Sequence, residues 1–161
     1  MTGARARATR LVLVVIVLLG AAACARVQTH YKVPNLGVTD PWHVVSHHGD
    51  RPEKLANNAK VNVFCLQMFA RFLEKLKNTP DGDGSLLSHS MVFYGSGMAN
   101  SNIHATDPLP MVVVGGKAGR GDQHLQLAPK TQIGNLWLTV ANQFGGSMNT
   151  FGESTGTVSL F

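Results

Sequence analysis

A chain of 161 residues can bury one hydrophobic core of ordinary domain size. Its formal charge of +5 includes Arg5, Arg7 and Arg10 of an N-terminal leader, and without those three the excess is +2, too little for a nucleic-acid footprint. Two cysteines, Cys24 and Cys65, exclude a disulfide framework.

The leader comes first. Arg5, Arg7 and Arg10 precede an apolar run from Leu11 to Leu19, then Gly20-Ala21-Ala22-Ala23-Cys24. A basic start, a short apolar stretch and small residues before a cleavage point predict an export signal over residues 1–24. The uncharged stretch ends at Arg26, short of the ~20 residues a membrane-spanning helix needs, so a stable transmembrane anchor is disfavoured. The end of the leader also resembles a bacterial lipoprotein box, with Ala21 where that pattern has leucine. Lipidation of Cys24, which would tether the product to a membrane, and ordinary cleavage at the alanine cluster both stay open. Either route places the product outside the cytoplasm, in the periplasm or cell envelope.

Residues 25–41 contain Pro34, Gly37 and Pro41, show little periodicity and read as a linker. His43-Val44-Val45-Ser46-His47-His48 follows, a dense set of neutral nitrogen donors. In a helix His43 and His47 share a face at i, i+4; in a loop all three imidazoles can converge. Either form suits zinc or another first-row metal. The competing reading is a hydrogen-bonded cluster that clips the loop to the body of the fold.

Asp50-Arg51-Pro52-Glu53 has the form of a helix start, with Asp50 as cap, Pro52 in the first turn and Glu53 completing a capping box. Val61, Cys65, Met68, Phe69, Phe72, Leu73 and Leu76 then recur at helical spacing to about Lys77, and this stripe is expected to be core. Cys65 fits there as a small hydrophobe. Thr79 to Ser85 ends the helix in a turn; its alternating acids, Asp81 and Asp83, lack the distal glutamate of an EF-hand, so a plain turn is expected.

Met91 to Tyr94 reads as a short buried strand and Met111 to Val114 as a second. Between them lie Gly95-Ser96-Gly97, His104 and Asp107, where an α/β protein commonly keeps its chemistry. These three polar residues are the catalytic candidates, although Ser96 is not in a Gly-x-Ser-x-Gly elbow. Gly115 to Gly121 fails the Walker spacing, since Ala118 follows Lys117, and reads as a loop. Pro129 and Thr131 open a last helix through Ile133, Leu136, Trp137, Val140, Ala141 and Phe144, which Gly145-Gly146 stops. The tail from Phe151 to Phe161 is expected to add a strand.

His43 to His48 matches the motif of the bacterial HxxSHH family (domain of unknown function 1552). The resemblance continues through Phe72 to Leu76, Asp81 to Leu87, Tyr94 to Gly97, Leu109-Pro110 and Phe151 to Gly156, so it runs from about Asp40 to the C-terminus. It assigns residues 42–161 to the C-terminal region of that family. The family is distantly similar to alkaline-phosphatase and sulfatase-like hydrolases. That implies an α/β fold, part of a three-layer sandwich with a helix-strand-strand-helix core and a C-terminal strand. In the superfamily the strand resembling Met91 to Tyr94 ends in an Asp-His metal pair, where this chain has Gly95-Ser96-Gly97. Family members are several times longer, so the resemblance implies a truncated domain lacking the half that carries the nucleophile.

Two functions compete. One is an exported, non-catalytic accessory domain, with a partner chain that could complete the fold. The other is a metal-dependent hydrolase of phosphate or sulfate esters, in which His43, His47, His48 and His104 hold at most one divalent, zinc-like ion, with Asp107 beside them and metal-bound water as nucleophile.

Overall fold

The computed structural model describes residues 34–115, 121 and 123–160. The leader, Cys24, most of the linker, the glycine-rich loop at 116–120 and Phe161 lie outside the described residues. Among the described residues, no helix is long and apolar enough to cross a membrane.

A five-residue helix, α1 (Trp42–Ser46), opens the body, and its Val45 and Ser46 are buried. Helix α2 (Pro52–Asn78) follows, with Pro52 in its first turn as expected. The capping box does not form. Arg51 is the cap residue and no side chain caps the helix, because Asp50 sits in the left-handed region at φ 57°. Its N–H instead donates to Nδ1 of His48 at 3.0 Å. The Arg51 carbonyl accepts from the N–H groups of Lys54 and Leu55 at the start of the helix.

The α2 stripe is only half buried. Phe69 is buried, whereas Val61, Cys65, Met68, Phe72, Leu73 and Leu76 are intermediate, and Phe64, which lies off the stripe, is more buried than any of those six. After α2 the turn is a small hairpin, β1 (Pro80–Asp81) pairing antiparallel with β2 (Gly84–Ser85) around Gly82 at φ 61°. Leu86 and Leu87 donate to the carbonyls of Thr79 and Leu76, tying the hairpin to the helix end.

Strands β3 (Met91–Gly95) and β4 (Met111–Gly115) pair antiparallel with Phe93 opposite Val113. Successive strand residues face opposite sides. Phe93 meets Trp137 edge-on at 5.1 Å, and Tyr94 stacks on Phe69 at 4.6 Å. Helix α3 (Ile133–Gln143) therefore packs on one side of the ribbon and α2 on the other. The core joins Met91, Phe93, Leu136 and Val140, with Met111, Val113 and Val158 packed against it. Burying several such side chains at about 1.5–3 kcal/mol each is what fixes the ribbon to α3.

Gly145, at φ 86°, follows α3 in the left-handed conformation that a helix stop favours. The expected C-terminal strand is absent through residue 160. The tail's polar groups are taken by helix side chains: Thr155 N–H donates to Asn135 Oδ1 at 2.8 Å, and Val158 N–H donates to Thr139 Oγ1 at 2.8 Å. Two of the tail's backbone donors are thereby withdrawn from any strand ladder. Among the described residues the fold is mixed α/β, with helices and two small antiparallel sheets.

Candidate functional site

The histidine motif occupies α1 and the turn after it. His43 lies in the helix and His47 caps its end, so the i, i+4 expectation holds and the two rings meet edge-on at 4.4 Å. His104 comes from the loop after β3 and meets His47 edge-on at 4.9 Å. Three of the four proposed metal ligands therefore form one stack, in which His43 and His104 are exposed and His47 half buried.

His48 is used differently. It is buried at 5% exposure and accepts the Asp50 N–H at Nδ1. The Asp50 carboxylate lies 3.3 Å from the same nitrogen. One ring nitrogen cannot accept from the backbone and donate to the carboxylate at once. The backbone bond has the better geometry, and it leaves Nδ1 as the acceptor and Nε2 as the N–H. Within this motif His48 shapes the entry to α2.

Ser46 and Gly49 make the remaining connections. The Ser46 hydroxyl donates to the His43 carbonyl at 3.0 Å, closing the short helix on itself. Ser101 Oγ donates to the Ser46 carbonyl at 2.8 Å, and the Gly49 N–H donates to Asn102 Oδ1 at 2.8 Å. These two bonds span more than fifty residues of sequence and lash the loop after β3 to the motif. The loop is stiffened from within by an Asn100–Ala105 bridge, a bond from the Asn102 N–H to Asn100 Oδ1, and a left-handed His104 at φ 54°.

The catalytic candidates are not assembled. Ser96 is exposed and its hydroxyl accepts the Met98 N–H at 3.2 Å, a local turn contact. Asp107 is exposed. Among the described residues no hydrogen bond joins Ser96 to His104 or His104 to Asp107, the links a nucleophile, base and orienting acid require. Nor, among the described residues, is any group of three or more His, Cys, Asp or Glu side chains placed to hold a metal ion. The three imidazoles pack edge to face, with ring centroids 4.4 and 4.9 Å apart.

A second polar cluster escaped the sequence reading. His89 Nδ1 lies 2.9 Å from Asp81 Oδ2, and its Nε2 lies 3.2 Å from Asp83 Oδ1. One imidazole thus bridges both acids of the hairpin, and its ring lies over Gly84, where an added Cβ would sit 3.3 Å from it. The alternating acids were a visible signal. The ring that answers them comes from six residues further on and could be found only once the hairpin had folded back.

An open recess of about 560 Å³ lies at the end of α2, lined by Arg71, Glu74, Lys75, Asn78 and Thr79, and it shares no residue with the histidine motif. Comparison with protein-family models, with curated proteins and with solved structures found no match.

Proposed function

We propose that this chain is an exported, non-catalytic accessory domain of the HxxSHH type, whose histidine motif holds the loop after β3 against the body of the fold. The observation that carries this reading is the pair of bonds from Ser101 to the Ser46 carbonyl and from Gly49 to Asn102. They join the two segments where chemistry was expected and commit the polar groups around the motif to structure. The unassembled Ser96, His104 and Asp107 support it further. Ester hydrolysis at enzymatic rates needs a positioned nucleophile and stabilisation of transition-state charge, worth at least about 8 kcal/mol together.

Helices on both sides of the β3–β4 ribbon agree with a small part of an alkaline-phosphatase-like layered sandwich. Export rests on the basic leader, the short apolar run and Cys24, with lipidation of Cys24 as the means of membrane attachment. Cell fractionation tests it. The product belongs in the envelope, and Cys24→Ser releases it from membranes if it is lipidated; a cytoplasmic product retaining Met1 refutes export.

The second reading is a metal-dependent phosphate or sulfate ester hydrolase, favoured by the contact of His43, His47 and His104. The residues as placed do not fit a metal ion. An assay of the isolated chain with phosphate and sulfate monoesters and added zinc decides between the two. The accessory reading requires turnover no faster than buffer, whereas turnover that disappears in His104→Ala establishes the hydrolase.

A further inference from the structure

Helix α2 is apolar on two opposite sides. Phe64, Phe69, Phe72 and Leu76 turn toward the body of the fold and are buried or half buried. Leu55, Ala59, Val63, Leu66 and Ala70 follow one another at steps of four, four, three and four residues, so they form a single stripe on the other side. All five are exposed, Leu55 at 41%, Val63 at 53% and Leu66 at 47%. Isolated surface leucines need no explanation, but a continuous stripe opposite a helix's own core face calls for a covering surface.

The sequence of the stripe identifies its cover. Val63 stands at the centre, with Ala59 and Leu66 flanking it and Leu55 and Ala70 at the ends. A second copy of α2, laid antiparallel about a two-fold axis at Val63, sets Leu55 against Ala70 and Ala59 against Leu66. Large meets small at every step, and Val63 meets its own mate. A parallel pair would instead set leucine on leucine and alanine on alanine. We propose that this chain forms a two-fold dimer through antiparallel pairing of α2 across Val63.

The paired stretch from Leu55 to Ala70 is about 24 Å of helix. Two such stripes with their flanking side chains bury roughly 1,200 Å², the low end for a specific interface.

Sedimentation of the purified full chain tests this. Wild type should pass from the monomer mass to twice that mass as its concentration rises through the micromolar range. Val63→Lys places two ammonium groups together on the axis and should stay monomeric at those concentrations. Val112→Lys, at an exposed position on β4, should dimerise like wild type. In a Cys24→Ser, Cys65→Ser background, oxidation should crosslink Val63→Cys with itself, while Leu55→Cys, about 24 Å from its mate, should not crosslink alone. A chain that remains monomeric, association that survives Val63→Lys, or self-crosslinking of Leu55→Cys equal to that of Val63→Cys overturns the proposal.

Discussion

Replacing His48 with alanine separates a structural motif from a metal-binding one. The imidazole is buried at 5% exposure, and its Nδ1 accepts the N–H of Asp50, a residue held at φ 57° where α2 begins. Deleting the ring leaves that N–H without its partner, at about 1 kcal/mol. The lost packing adds about 1–2 kcal/mol, below the ~3–5 kcal/mol of a buried phenylalanine because the ring is smaller and polar. The total, about 2–3 kcal/mol, is a large share of the ~5–15 kcal/mol that holds an ordinary domain together. His43 is exposed, so His43→Ala should change stability by no more than about 0.5 kcal/mol. Urea unfolding followed by the fluorescence of Trp42 and Trp137 reads the difference as a midpoint shift of about 1 M or more for His48→Ala, with an unchanged slope. His48→Asn, whose Oδ1 can accept the same N–H, should recover part of the loss. A metal site would make His43 and His48 matter alike with zinc present and matter little in chelator. Equal costs for His43→Ala and His48→Ala would refute the division of roles.

Three further substitutions probe other joints of the fold. Asn135→Ala removes both bonds to Thr155 from a buried position and should cost about 2–3 kcal/mol, with proteolytic cleavage of the tail beyond residue 150 accelerating in the folded protein. Gly115→Ala should be worse than Gly84→Ala: at Gly115 φ is 81° and a Cβ would lie 2.7 Å from the backbone carbonyls of Leu87 and Ser90, whereas at Gly84 it meets the movable Ser88 hydroxyl. Thermal melts of the two variants give the order, and a milder Gly115→Ala would contradict it. The double variant Ser101→Ala, Asn102→Ala should free the loop after β3, raising amide exchange at Gly49 severalfold while global stability falls by only about 1–2 kcal/mol; unchanged exchange would mean that these bonds do not hold the loop.

Long periodic segments were legible from residue spacing. Helix α2 spans 27 residues, and Pro52 and the helix-ending Thr79-Pro80 mark it without reference to anything distant. Both strands of the central ribbon and α3 with its Gly145 stop followed from the same kind of local signal. What spacing could not give was the identity of partners. Phe64 is buried where Val61 is not, because burial on a half-covered helix depends on what lies over each turn. A strand was expected in the tail, yet Asn135 and Thr139 capture two of its backbone donors. At the candidate site three of the named histidines, His43, His47 and His104, do meet ring to ring. The sequence could not tell that His48 would turn inward to Asp50, or that Ser101 and Asn102 would reach back to the motif across more than fifty residues.

Zinc titration of the purified chain, followed by elemental analysis after dialysis, tests the central claim that the histidine motif serves structure. Wild type should be compared with a His43→Ala, His47→Ala, His104→Ala variant, which spares the buried His48 and keeps the fold. The account predicts the same zinc content in both, well below one ion per chain. One tightly held zinc per wild-type chain, lost in the variant, would contradict it and return the motif to metal chemistry.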